Sequence, residues 1–351
     1  MQAIVKTEAR PGAEIQRVAV PEIGPRDVLV RVKAASVCGT DLHIYRWDRW
    51  SERRIHPPLV FGHEFCGEVE SVGAEVTTAR AGDFVSAEMH VACGRCFQCR
   101  TGQRHICQNV RIIGIDMDGC FAEFVKIPES NIWKIDPAIP VDYAAVLDPL
   151  GNAVHTVLAG EIAGLSVAVT GCGPIGLFAI AVAKACGAGP IFASEPHPYR
   201  MKLAEKMGAS VVIDSPGTDP AAEVLARTEG VGADVVLEMS GNPQAIRQAF
   251  QMLRRGGRIS LLGIPSKPLE LDLANDVIFK GAVVQGINGR RVFETWYKMQ
   301  ALLKSGALDL APLITDRMPM SDFARGVELL LSGNASKVLL YPDGVPGAAG
   351  R

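Results

Sequence analysis

The chain has almost no net charge: 36 Lys and Arg stand against 38 Asp and Glu, giving −2 over 351 residues. That balance removes the electrostatic reason to expect nucleic acid or an anionic membrane as partner. Long apolar runs are also missing. The stretches near 165–186 and 281–287 are broken by Gly, Pro and Lys, short of the roughly 20 apolar residues a membrane span needs. There are no internal repeats. Low complexity is confined to the Gly/Ala-rich end from Gly344, which reads as a frayed tail. Residues 1–6 lack the basic region, apolar core and cleavage site of a secretory leader. Nine cysteines, an odd number, suit a reducing compartment. The expectation is a cytoplasmic protein that binds neither membrane nor nucleic acid. Its hydrophobic content of 48% and charged content of 21% are those of a globular protein, and its length suggests two domains.

Four of the cysteines fall within fifteen residues: Cys93, Cys96, Cys99 and Cys107. Two residues separate each of the first three and seven precede the fourth, a spacing that lets four thiolates close a tetrahedron around Zn²⁺. Such a site has no open position, so it holds structure. A ferredoxin run would have three residues before the last cysteine and a proline after it, whereas seven residues and Gln108 stand here. Two disulfides remain an alternative, disfavoured by the absence of a secretory start.

Up to about residue 145 the chain reads as short strands separated by Gly and Pro, such as 28–33, 65–72 and 83–87, suggesting an irregular barrel or sandwich. From about 142 helical segments begin, and strands then alternate with helices. Strands are expected at 165–170, 191–195, 210–214, 233–239 and 258–263. The helices between them are expected at 174–186, 199–207, 221–228 and 243–254. This alternation predicts a parallel sheet with helices on both faces. Two further helices, 292–304 and 322–331, and a strand at 337–341 could extend that sheet or return to the first domain.

Gly171-Cys-Gly-Pro-Ile-Gly176 matches G-x-G-x-x-G between an expected strand and an expected helix, the context in which this weak pattern gains meaning. Gly171 permits the turn, Gly173 lets a pyrophosphate approach, and Gly176 lets helix pack on sheet. Glu195, nineteen residues past Gly176, would accept ribose hydroxyls and repel a 2′-phosphate, favouring NAD over NADP. Arg200 complicates that preference, since it could receive such a phosphate or stack on adenine.

A second set of metal-capable residues lies in Cys38-Gly-Thr-Asp-Leu-His43 and Gly62-His63-Glu64, both expected in tight loops. Cys38, His63 and Glu64 would give three ligands and an open position, the pattern of a catalytic zinc. Singly, Cys38 reads equally as a buried thiol and His63 as a core histidine. His90, between these loops and the cysteine cluster, could contact a substrate or serve as a structural residue on a strand. Trp47 and Trp50 could wall a pocket or anchor an interface. His56, His105 and His197 read as surface or packing residues, and Cys66, Cys120, Cys172 and Cys186 as inert thiols.

C-G-T-D-x-H, G-H-E, the four-cysteine lobe and the late G-x-G-x-x-G occur in the order of the zinc-dependent medium-chain alcohol and polyol dehydrogenases, which the chain resembles along essentially its whole length. Three longer strings, 38–50, 148–156 and 293–299, are most similar to the threonine-oxidising branch. The resemblance implies an α/β chain with a GroES-like irregular β-barrel catalytic domain, 1–148 and 293–351, carrying a structural zinc lobe at 90–110. A Rossmann doubly wound NAD domain would occupy 149–292. It implies catalytic zinc at Cys38, His63 and Glu64, with Asp148 beside the metal as ligand or relay group, and a proton relay through Thr40 and His43. NAD would be lined by Ile175, Glu195, Arg200, Leu262, Gly263, Ile264, Gly286 and Ile287. The implied reaction is oxidation of the L-threonine side-chain hydroxyl in a homotetramer. A sugar alcohol or butanediol is the rival substrate.

Overall fold

Strand Asp27–Ser36 shows why the first part of the chain folds as it does. Val28, Val30 and Val32 are buried while Arg31 and Lys33 face solvent, the period of a strand with one wet face. In the computed structural model, which describes residues 1–347 and leaves 348–351 of the tail outside them, this strand is the centre of a seven-stranded sheet. It pairs antiparallel with Glu64–Val72, Phe124–Pro128 and Lys337–Tyr341. Of the two destinations open to the last elements, strand Lys337–Tyr341 takes the first unit, with Ile314–Pro319 parallel beside it. Ser36 therefore has Glu64 across one edge and Leu339 across the other. The stretch that follows Ser36 leaves the sheet at this junction of early and late chain.

The turn before Glu64 is tightly enclosed. Phe61, Phe121 and Phe323 form a buried aromatic cluster with ring centroids 5.3–5.6 Å apart. Gly62 has φ +90°, and a Cβ there would lie 2.5 Å from the Phe121 ring. Only glycine meets both demands, a left-handed backbone and no side-chain volume. Two short strands, His90–Val91 and Arg111–Ile112, pair at the base of the cysteine-rich segment.

In the second unit six parallel strands run in the order Val211–Asp214, Ile191–Glu195, Val167–Thr170, Ala233–Glu238, Leu253–Leu261 and Val283–Gly286. In chain order this is 3-2-1-4-5-6, the Rossmann doubly wound arrangement, whose ligand crevice opens at the carboxyl ends of the strands where the order reverses. Helices Pro174–Ala185, Pro198–Met207, Pro220–Arg227 and Pro243–Met252 lie between strands, each with proline in its first turn, where the missing N–H costs nothing. The apolar faces of the last two, through Ala221, Val224, Ile246 and Phe250, close a core with Phe192, Val236 and Ile259.

Among the described residues the two compact units are Met1–Asp148, Arg291–Trp296 and 314–347, against Pro149–Arg290 and Tyr297–Leu313. This differs from the expected division, which gave all of 293–351 to the first. Met299 approaches Gly151, and the turn Ala311–Leu313 lies against helix Pro198–Met207, so 297–313 packs with the second unit. Among the described residues no helix is long and apolar enough to cross a membrane.

Replacing Gly62 by Ala is expected to destabilise the protein by about 2 kcal/mol or more, from left-handed strain plus overlap with Phe121. Urea denaturation of Gly62→Ala beside the native protein checks this; an unchanged midpoint would refute the enclosure argument.

Candidate active site

Cys38 lies in the short turn after strand Asp27–Ser36, as its sequence context suggested, but the residues that follow it, expected in the same loop, form helix α1 (Gly39–Arg46), whose N-cap is Cys38. Thr40 and His43 are therefore one turn apart on one helix face. Asp41, wholly buried, accepts the Cys38 backbone N–H at 2.8 Å, and its other oxygen lies 3.8 Å from His63 Nδ1. The Thr40 hydroxyl is 3.8 Å from Cys38 Sγ. His63 and Glu64, delivered by the Gly62 turn, bring one ligand atom each to within 4.8 Å of one another and of Cys38.

This cluster fits a metal ion on two observations. His63 Nδ1 and Glu64 Oε1 are buried without a hydrogen-bond partner, a state that costs about 1–3 kcal/mol per group unless something compensates it. The thiol, imidazole and carboxylate donor set is also one that zinc accepts. Burial, then the Glu64 carboxylate, pushes the Cys38 thiol up. Burial opposes charging His63, but the negative groups at Cys38 and Asp41 outweigh it and take the imidazole to about 10. Burial likewise lifts Asp41 to about 6. Such a field awaits positive charge, which a dication would supply.

Two residues without a signal in the sequence pattern complete the site. Lys337, buried in the late strand, pairs its Nζ with Glu64 Oε2 and donates to the Val37 carbonyl at 3.1 Å. Glu88, wholly buried, accepts from the His90 backbone N–H at 3.0 Å and lies 2.7 Å from His90 Nδ1. Its other oxygen accepts the Trp296 indole N–H at 2.9 Å. Asp148 is buried in the first turn of Leu147–Val157, and its charge acts on His63. His155 Nδ1 donates to the Gly289 carbonyl at 2.8 Å. Trp47 lies beneath the Lys6 ammonium, 4.9 Å from ring centroid to Nζ, while Trp50 is exposed.

In the lobe, the four cysteine sulfurs lie within 4.8 Å of one another. The Cys96 sulfur is 3.5 Å from that of Cys99 and 3.8 Å from that of Cys107. A zinc tetrahedron with bonds of about 2.3 Å has edges of about 3.8 Å, whereas a disulfide needs about 2.05 Å. All nine cysteines are free, which removes the disulfide alternative. Backbone N–H groups of Arg95 and Cys96 draw the Cys93 thiol down to about 6. Those of Cys93 and Asn109 point at Cys107 Sγ, both at 3.3 Å. Donors of this kind hold thiolates ready for a metal.

The second unit gathers its candidate residues at the carboxyl edge of the sheet. Register pairs Thr170 with Ser194 and Glu238, and Leu261 with Gly286. The Gly171 turn, Glu195, Leu262–Gly263–Ile264 and Gly286–Ile287 therefore open on the same edge. Glu195 accepts the Cys172 backbone N–H at 2.7 Å and that of His197 at 3.1 Å. A Cβ on Gly176 would lie 2.0 Å from the Gly171 carbonyl oxygen, so helix and turn touch there. A Cβ on Gly173 would meet nothing within 4 Å, and no side chain caps the helix it begins. That leaves free N–H groups and room for a phosphate, which is what a dinucleotide requires. Ile175 and Arg200 are half-buried and Ile264 is exposed. Glu238, buried and unmarked in the sequence, accepts the Ser240 and Gly241 N–H groups at 2.9 and 3.0 Å and shapes the neighbouring turn.

Comparison with known proteins agrees with this geometry. The family model described as alcohol dehydrogenase GroES-like domain matches residues 24–137, and that described as zinc-binding dehydrogenase matches 174–305. The L-threonine 3-dehydrogenase of Bacillus licheniformis is 52% identical over 97% of this chain and 99% of its own length. That of Symbiobacterium thermophilum is 53% identical over 98% of each. Among solved structures, an alcohol dehydrogenase from Thermus sp. ATN1 superposes with a TM-score of 0.87 at 33% identity, covering 97% of this chain and 99% of that one. The 2R,3R-butanediol dehydrogenase of Bacillus subtilis gives 0.88 at 30%, with the same coverage.

The two clusters should separate by mutation. Cys38→Ser and Cys96→Ser are each expected to lose one zinc per chain by metal analysis. Cys96→Ser should also lower the unfolding midpoint, whereas Cys38→Ser should keep it within about 3 °C of native. A Cys96→Ser protein of native zinc content and stability would contradict the assignment of the lobe.

Proposed function

The chain belongs to the zinc-dependent alcohol dehydrogenases and, among them, to the L-threonine 3-dehydrogenases, and on that footing we propose that it oxidises L-threonine at its side-chain hydroxyl to 2-amino-3-oxobutanoate, with NAD as hydride acceptor. The observation that carries this reading is sequence identity near 50% with threonine dehydrogenases over nearly the full length of both chains.

Zinc held by Cys38, His63 and Glu64 would supply Lewis acidity toward a hydroxyl, and NAD a hydride acceptor. The chain's own residues do the rest. Thr40, beside Cys38, has a hydroxyl that both accepts and donates, and His43 one turn along is exposed, so the two provide a path for the released proton to solvent. Asp148 stands by His63 as ligand or relay group, and His90, clamped by Glu88, faces the substrate. Glu195 receives the ribose hydroxyls and disfavours a 2′-phosphate. Gly173 and the first turn of its helix receive the pyrophosphate, with Ile175, Arg200, Leu262, Gly263, Ile264, Gly286 and Ile287 around the rest of the cofactor. The four-thiolate lobe takes a second, structural zinc.

We further infer a homotetramer in the cytoplasm. Strand Val283–Gly286 is the last of the parallel sheet, and Val283, Val284, Ile278 and Phe279 nearby are exposed. An unpaired apolar edge of this kind favours pairing with a second copy. Nine free thiols fit a reducing compartment.

A spectrophotometric NADH assay with L-threonine, sorbitol and 2,3-butanediol decides the substrate. Turnover of threonine at least about tenfold above either polyol in kcat/KM, a difference of about 1.4 kcal/mol in the barrier, is expected. Polyol oxidation without threonine oxidation would overturn the reading.

A further inference from the structure

His43 is exposed, yet its ring is not left to rotate. Its Nδ1 lies 2.5 Å from Asp48 Oδ2, and the Trp50 ring stands edge-on with centroids 6.2 Å apart. Asp48 is itself immobilised. Its other oxygen caps helix α2 (Arg49–Arg54), accepting the backbone N–H groups of Trp50 and Ser51 at 3.1 Å each and the Ser51 hydroxyl at 3.3 Å. The turn between the helices is pinned as well. Trp47 adopts φ +56°, donates its N–H to the His43 and Ile44 carbonyls, and packs under Lys6. Lys6 in turn donates to the carbonyls of Arg10 and Gly12.

We propose that Asp48 is the positioning residue of the proton relay: it fixes the tautomer and orientation of His43, so that Nδ1 keeps its proton and Nε2 is the nitrogen that accepts the proton leaving the substrate. The inference rests on His43 being the relay group. A carboxylate only accepts, so the nitrogen facing it must carry hydrogen. Burial opposes the Asp48 charge, but the Ser51 N–H and the His43 ring outweigh it and hold this carboxyl below its usual range. It therefore stays ionised while His43 cycles. The proton taken up at Nε2 leaves from Nε2 to solvent, the Nδ1 proton never moves, and Asp48 accepts none. Among the described residues, Asp48 is the ionised group paired with the ring.

Asp48→Asn tests this, since asparagine caps a helix as well as aspartate while the atom facing Nδ1 becomes an NH2 donor that cannot accept its proton. Nδ1 must then accept and Nε2 carry the proton, which leaves Nε2 unable to take the one leaving the substrate. The kcat should fall about tenfold at the native optimum, and ¹⁵N NMR of the variant should show the His43 proton moved from Nδ1 to Nε2. KM for NAD, zinc content and unfolding midpoint should be unchanged. In the native protein, ¹⁵N NMR of His43 should show Nδ1 protonated and Nε2 free below saturation with acid. That second measurement needs no variant and decides the matter if Asp48→Asn folds poorly. A native kcat in Asp48→Asn, or Nε2 as the protonated nitrogen of the native protein, overturns the proposal. If His43→Ala keeps full kcat, the relay reading itself fails. If His43→Ala is slow and Asp48→Asn is native, only the role of Asp48 fails.

Discussion

A single buried ion pair joins the two ends of the catalytic unit. Lys337 and Glu64 are 273 residues apart in sequence and almost wholly inaccessible to water. Neither charge could be buried alone, since an unpaired ion in the interior costs several kcal/mol. Each therefore requires the other, and with it the pairing of the late strand beside the early one. Lys337 also donates to the carbonyl of Val37, the residue before Cys38. One ammonium thus fixes both segments that carry Cys38, His63 and Glu64, and it does so through one Glu64 oxygen, leaving the other buried and unsatisfied. The site is strained toward a cation by the way the sheet is assembled.

The same logic of long-range closure explains why the catalytic unit is built from both ends of the chain. The enclosed turn at Gly62 needs Phe323 as well as Phe121 around Phe61. Without the late segment, His63 and Glu64 would lose one wall of the cluster and the counter-charge. The cofactor unit is organised differently. Its strands are consecutive βα repeats, and the chain brings Gly171, Glu195, Glu238 and Gly286 to one sheet edge simply by stopping each strand at the same level. Parallel strands with helical crossovers produce that alignment without distant contacts.

These differences decide what could be read from sequence. The helices and five of the six strands of the βα repeats were legible to within a few residues because their periodicity is local, the short edge strand Val283–Gly286 being the exception, and the four-cysteine lobe was legible because its ligands lie within fifteen residues. In the Cys38 segment only Cys38 keeps to the expected turn, and residues 39–43 are helical. Its helix is short and weakly amphipathic, and it begins at a cysteine cap, which the usual Ser, Thr, Asp or Asn signal does not flag. Lys337 carried no signal at all, because a lysine opening an apolar strand ordinarily points to water. Asp48 and Glu88 were silent for the same reason: a carboxylate near a histidine in sequence says nothing until the backbone between them is known. The assignment of 297–313 to the first unit failed because a boundary inside a helix leaves no compositional mark.

We propose that the chain builds two chemically distinct metal sites, a closed one from four neighbouring cysteines and an open one from residues that only the fold brings together. Anomalous diffraction at the zinc absorption edge from crystals of the native protein tests it most directly. The account predicts two peaks per chain, one inside Cys93, Cys96, Cys99 and Cys107 and one among Cys38, His63 and Glu64. A lone peak in the cysteine lobe, from protein that is fully active, would contradict it.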